Sequence, residues 1–203
     1  MHRRIALVVA FVAANLMACC CGGFGRQTPP NQDAVANGGQ DDKTQKHLTP
    51  DQPAVIGNVR LRLLVGKIER ITYFDKTFKE VLERKDGPQL RIIVSIENTS
   101  KDKIESYSPW SKLSLTADKI RATVKDEHGN TYKLTLQTMI GMVPIGQLDE
   151  VTRIDPGRKI EDVLVFERPL DSAKEFTLEL PGGNIGRRGE KAVYRFQRTW
   201  LEK

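Results

Sequence analysis

Beyond Ala54 the period of the chain changes to two, as alternating apolar and polar side chains mark strands that bury one face. Val59, Leu61, Leu63 and Val65 share one face with Arg60 and Arg62 opposite; Leu90, Ile92, Val94 and Ile96 repeat this, with Arg91, Ser95 and Glu97 on the other side. Ile120, Ala122 and Val124 lead into Asp126-Glu127-His128-Gly129-Asn130, and Tyr132, Leu134 and Leu136 lead out. This predicts a hairpin in which Gly129 and Asn130 supply residues tolerant of positive φ. Residues 151–154 reach the turn Asp155-Pro156-Gly157, and 162–167 (DVLVFE) form a strand with a nearly continuous apolar run. Phe176, Leu178 and Leu180 stop at Pro181-Gly182-Gly183-Asn184, and Ala192, Tyr194 and Phe196 end the series. Helical spacing occurs at Phe78, Val81 and Leu82, among charges and just before Asp86-Gly87-Pro88, where one or two helical turns or a loop are expected. With no long 3.6-residue pattern, the chain is expected to be all-β: an antiparallel β-sandwich of about 7–9 strands.

The N-terminus follows a different pattern. Arg3 and Arg4 precede an uninterrupted apolar run, residues 5–14 (IALVVAFVAA), too short to span a bilayer and of the length of a signal-peptide core. It ends in Leu16-Met17-Ala18-Cys19, which resembles the lipobox of bacterial lipoproteins, with Met17 where small or β-branched residues are usual. The resemblance implies cleavage before Cys19 and diacylglycerol on its thiol, the membrane being the partner held through this anchor; each buried methylene adds roughly 0.8 kcal/mol, so two or three acyl chains hold where one does not. The alternative is an ordinary secretory signal cleaved after Ala18, which leaves Cys19, Cys20 and Cys21 unacylated. Residues 22–53 are rich in Gly, Gln, Asn, Asp and Pro and poor in apolar side chains, as in a flexible linker. The expected organisation is thus a signal peptide at 1–18, a lipidated cysteine and linker at 19–55, and one sandwich at 56–203. Localisation follows: the cell envelope, on the extracytoplasmic side, with the non-aspartate Cys20 favouring the outer membrane by analogy.

Composition changes this picture little. The formal charge of +6 comes from 32 basic and 26 acidic residues, interleaved along the strands, which fits a solvated surface and not a nucleic-acid groove. A local basic excess, Arg187, Arg188, Lys191, Arg195, Arg198 and Lys203, marks the C-terminal segment as a candidate for weak contact with anionic headgroups or polymers. No cysteine follows Cys21, so the folded domain has no disulfide and rests on its core.

A second resemblance rests on Ile96-Glu97-Asn98-Thr99-Ser100, Tyr107 with Ser108-Pro109-Trp110, residues 126–132 (DEHGNTY), and Asp155-Pro156-Gly157 followed by residues 162–169 (DVLVFERP). Together these resemble the immunoglobulin-like domains of unknown function found in many bacterial lipoproteins and exported proteins. The resemblance implies an immunoglobulin-like sandwich and is nearly silent about activity. The Cys–Trp–Cys arrangement of antibody domains is missing, so Trp110 is expected to plug a sheet edge or end.

Catalytic frames are absent: no H-E-x-x-H, no G-x-S-x-G and no phosphate-binding glycine loop. No enzyme activity, cofactor or metal is therefore expected. Asp126, Glu127, His128 and Asn130 crowd polar atoms into one hairpin, and with Trp110 they form the candidate binding loop; turn chemistry alone accounts for Asp, Gly and Asn there. Met139 and Met142 offer thioethers that suit Cu(I), with hydrophobic packing as the competing reading, and the apolar, glycine-spaced stretch 138–147 is a candidate partner-facing loop or a lid over the sandwich end. The favoured function is a non-catalytic binding or structural module of the cell envelope, with an envelope protein or polymer as partner. The alternative is a metal-binding or enzymatic envelope protein using residues 126–130.

Overall fold

The computed structural model describes residues 47–83, 87–112, 121–135 and 141–201. The signal peptide, Cys19, the linker up to residue 46, Ile120, Leu136 and Met139 lie outside these residues. Thirteen strands occur among the described residues, in chain order β1 (Ala54–Ile56), β2 (Val59–Glu69), β3 (Thr72–Asp75), β4 (Glu80–Glu83), β5 (Gln89–Asn98), β6 (Glu105–Tyr107), β7 (Thr123–Asp126), β8 (Thr131–Tyr132), β9 (Met142–Pro144), β10 (Thr152–Ile154), β11 (Lys159–Phe166), β12 (Glu175–Pro181) and β13 (Lys191–Gln197). Short 3-10 turns cover Gly182–Ile185 and Arg198–Trp200.

Eight of these strands make the sandwich, as the alternation predicts: an antiparallel sheet β1-β2-β5-β11 faces an antiparallel sheet β13-β12-β7-β8. The register places Leu61 opposite Ile96, Leu63 opposite Val94 and Leu164 opposite Ile92, so their side chains point to one face. Phe176 opposite Phe196 and Leu178 opposite Tyr194 do the same in the second sheet, and all ten residues belong to one buried cluster. Each such side chain stabilises the fold by roughly 1.5–3 kcal/mol through removal from water.

Val65 departs from the predicted face. The β2–β5 register shifts between Leu63 and Val65, so Leu64 is the extra residue of a bulge and Val65 pairs with Ile93 on the outer face. Gly66 takes the inward position opposite Ile92. A Cβ there would lie 2.2 Å from Trp200 Cζ3, so only a glycine lets the C-terminal turn press its indole against the strand.

The continuous apolar run of β11 also has a structural reason. Leu164 and Phe166 face the sandwich core, while Val163 and Val165 face outward into a second buried cluster with Ile71 and Tyr73. That cover comes from a small antiparallel sheet of order β4-β3-β9. Its hairpin, β3–β4, stands where helical turns or a loop were expected at Phe78, Val81 and Leu82. Asp75 Oδ1 accepts the N–H groups of Thr77 and Phe78 and closes the turn, and Val81 then pairs with Phe74. The turn chemistry of a short Asp side chain outweighs the helical spacing. Among the described residues no α-helix is present.

The predicted reversals hold their chain as expected. Asn98 Oδ1 accepts Ser100 N–H, its Nδ2 donates to the Lys103 and Ile154 carbonyls, and Gly157 turns with φ 70° while donating its N–H to Asn98 O. The end of the expected linker is engaged with the sandwich. Leu48 forms a parallel bridge with Tyr194, donating to Val193 O and accepting from Arg195 N–H.

Candidate functional site

The hairpin between β7 and β8 is built around Asp126. Its Oδ1 accepts the N–H groups of His128 (3.0 Å) and Asn130 (2.9 Å), and its Oδ2 accepts Asn130 Nδ2 (2.8 Å) and the Tyr132 hydroxyl (2.6 Å). A carboxylate has about four acceptor positions, and these four bonds use them. Burial pushes the Asp126 carboxyl up, but the hydrogen bonds from Tyr132, Asn130 and His128 outweigh it and hold it at about 2. Burial and the Asp126 carboxylate push the Tyr132 phenol up to about 12. Gly129 supplies the positive φ of the turn, 83°, whereas Asn130 serves as a hydrogen-bond donor and not as the left-handed residue.

Glu127 reaches across to the start of β12: Oε1 accepts Lys174 N–H at 2.8 Å and Oε2 accepts Glu175 N–H at 3.1 Å. The backbone N–H of Lys174 is the leading cause that lowers its pKa. His128 stays exposed, its Nε2 3.7 Å from Glu127 Oε1. The polar atoms that nominate this loop from sequence are thus turned toward the chain itself, and a cation entering here displaces backbone donors. No group of three or more His, Cys, Asp or Glu side chains placed to hold a metal occurs among the described residues. Met142 packs against the second buried cluster.

Trp110 lies elsewhere. It is buried, its indole Nε1 donates to Pro181 O at 3.0 Å, and its ring meets Tyr107 edge-on with centroids 4.9 Å apart. Pro181 ends β12 while Glu127 binds its beginning, so the structure sets Trp110 and the Asp126 hairpin at opposite ends of a strand roughly 20 Å long. Trp110 is the plug of one end of the sandwich. Beside it the Tyr107 hydroxyl donates to Asp162 Oδ2 at 2.5 Å, and Asp162 Oδ1 accepts Leu148 N–H at 2.8 Å. Desolvation pushes the fully buried Asp162 carboxyl up to about 6 against the lowering effect of these bonds, and desolvation with the neighbouring Asp162 raises Tyr107 well above its ordinary value. The pair joins β6, β11 and the 145–149 loop.

The solvent-facing feature that sequence reasoning pointed to only through the stretch 138–147 is the outer face of the small sheet. Val81, Phe74 and Val143 stand directly opposite one another across β4, β3 and β9, forming an apolar row that is exposed at Val81 and Phe74 and buried at Val143. Val81 is 61% exposed, Phe74 38%, and Phe78 at the hairpin tip 71%. The row runs into a cleft of about 330 Å³ lined by Phe74, Val143, Pro144 and Ile145, with the Lys76–Asp149 ion pair and Gln147 beside it. Gln147 Nε2 donates to Val163 O, and its buried Oε1 has no partner among the described residues.

The basic C-terminal segment carries its own acids. Arg187 meets Glu105, Lys191 meets Glu179, Arg195 meets Glu175, and Arg198 meets Asp171 as well as the Leu170 and Ala173 carbonyls.

No family model matches the chain, and no curated protein matches it. Solved structures resemble it at a distance. The yjhA protein from Bacillus subtilis aligns at 14% identity and TM-score 0.47 over 73% of this chain and 98% of its own. The ycdA protein from Bacillus subtilis, described as a "putative lipoprotein", aligns at 13% identity and TM-score 0.44 over 74% of this chain and 40% of its own. An uncharacterised β-sandwich protein from Clostridium difficile 630 aligns at 15% identity and TM-score 0.44 over 77% of this chain and 97% of its own.

Proposed function

We propose that the chain is a lipid-anchored, extracytoplasmic module of the cell envelope that binds a partner without catalysis, and that the outer face of the small sheet is its docking surface. The observation that carries the docking assignment is the apolar row Val81–Phe74–Val143, continued by the exposed Phe78 and the adjoining cleft. Apolar side chains gathered on one surface, and not scattered singly, mark a place where another molecule is received. The signal-peptide core at 5–14 and the Leu16-Met17-Ala18-Cys19 motif support the anchored location.

Metabolic labelling with a fatty acid tests the anchor. The mature protein is expected to carry label and to sediment with membranes, and Cys19→Ser to lose both; an unlabelled wild-type protein overturns the lipid anchor. A photo-crosslinker at Phe78 tests the surface. One recurrent adduct in intact cells is expected, whereas the absence of any adduct at Phe78 and at Ile145 removes the docking assignment.

A further inference from the structure

Strand β4 ends the small sheet, and no described strand lies beyond it. The hydrogen bonds of β3 show which of its backbone groups are free. Lys76 N–H donates to Gly141 O and Ile145 N–H to Thr72 O, so residues 72, 74 and 76 turn their backbone groups toward β9. Tyr73 and Asp75 then turn theirs toward β4, where they face Leu82 and Glu80. It follows that Val81 and Glu83 direct their N–H and C=O groups to the open edge. All four side chains of β4 are exposed as well.

We propose that this edge pairs antiparallel with the same edge of a second copy, about a two-fold axis at Val81. The proposal names the occupant of the docking surface described above and rests on that assignment. Only registers that set free odd-numbered residues opposite one another allow the ladder to form. Pairing Val81 with Val81 of the second copy is one, and it brings Lys79, the turn residue with φ 57° just before β4, to the end of the strand where its long side chain meets the second copy's Glu83, on both sides of the axis. Shifting by two residues one way sets Val81 against Glu83 and loses those opposite charges, and the other way sets it against Lys79, whose turn conformation does not continue the ladder. The shift that would set Glu80 against Glu83 pairs a free residue with an occupied one and adds like-charge repulsion. Backbone polarity fixes the parity of the pairing, and apolar matching with charge then selects this register among those it allows. In it the apolar row becomes Val143–Phe74–Val81 followed by its symmetry mate across one continuous six-stranded sheet. A two-fold contact of this kind closes on itself, so it makes dimers and not fibres. Glu80 and Glu83 also deter pairing with unrelated strands, a known means of guarding an open edge.

Sedimentation velocity of the full mature chain, with Cys19, Cys20 and Cys21 changed to Ser so that it stays in solution, tests the proposal. A concentration-dependent monomer–dimer equilibrium is expected. Lys79→Glu should weaken the dimer about tenfold, since two attractive pairs become repulsive, and Lys79→Glu with Glu83→Lys should restore it. Val81→Pro should abolish the dimer while leaving the thermal midpoint of the monomer near the wild-type value, because the N–H it removes has no partner among the described residues. A chain that stays monomeric at every concentration overturns the proposal, as does a dimer indifferent to Lys79→Glu. If the monomer instead crosslinks from Phe78 to another envelope protein or to lipid, the second-copy assignment fails while the docking surface stands.

Discussion

At the scale of single residues, Asp162 couples the fold to pH. Its carboxyl is pushed up by burial from the ordinary 3.8 to about 6, so between those values the folded chain keeps a proton that the unfolded chain has released. Stability then falls as pH rises through this window, by about 3 kcal/mol in all for a shift of about two units. Asp162→Asn keeps an oxygen for Leu148 N–H and offers an amide to the Tyr107 hydroxyl. Urea unfolding at pH 4.5, 5.5 and 7.5 should show the decline in the wild type and a nearly level profile in the variant; an undiminished decline in Asp162→Asn would rule out this carboxyl as its source. Asp126 works in the opposite sense. Its folded value of about 2 lies below the ordinary 3.8, so its contribution is complete above the latter and is lost as pH falls toward 2. A second residue-scale effect is steric. Gly66→Ala drives a methyl into Trp200 and should cost about 1–3 kcal/mol with a shift of tryptophan fluorescence. Trp200→Ala added to Gly66→Ala should not repeat that fluorescence shift, which is read against Trp110 alone.

At the scale of elements, the small sheet β4-β3-β9 is held by fewer buried side chains than the sandwich, chiefly Ile71 and Tyr73 against Val163 and Val165. Tyr73 also fixes its edge by donating from its hydroxyl to Gln89 Oε1 at 2.7 Å. Tyr73→Ala is therefore expected to strip hydrogen-exchange protection from β3 and β4 while Ile92 and Val94 in β5 keep theirs. Equal loss in both places would show that the small sheet is no separate unit. The sandwich strands were legible because each buries one face and so alternates strictly; Leu90 to Ile96 and Phe176 to Leu180 stand where the period of two puts them. The bulge at Leu64 and the small sheet were not. A bulge changes the face of every later residue without changing the composition, and strands as short as β3 and β4 carry too few residues to establish a period. The candidate loop was legible as a turn, but which way its carboxylates point depends on Lys174 and Glu175, nearly fifty residues away in sequence. Trp110 was legible as a plug and, equally, its distance from that loop was not, since Pro181 fixes it only through the fold.

At the scale of the whole molecule, the two sheets of the sandwich are joined by more than apolar packing. Tyr194 rises from β13 in one sheet, and its hydroxyl accepts Ala54 N–H at 3.1 Å and donates to Leu61 O at 2.8 Å in the other. Desolvation pushes this phenol up to about 12, so it remains a donor across the physiological range. The backbone of the same residue is bridged by Leu48, which binds Val193 O and Arg195 N–H on the outside of β13. One short stretch, residues 48–61, thus ties the N-terminal end of the domain to both sheets without any disulfide. Tyr194→Phe leaves two buried backbone groups without that partner and should lower stability by about 1–3 kcal/mol, measured by urea unfolding. A chain beginning at Ala54 should also be less stable than one beginning at His47, because it gives up the Leu48 bridge and the buried Pro50. Neither change should respond to reductant. If the chain beginning at Ala54 unfolds at the same urea concentration as the one beginning at His47, the bridge adds no stability. If it unfolds earlier, a pull on the chain ahead of Leu48 is met first by the Leu48 bridge at the edge of β13, before it reaches the seam at Tyr194.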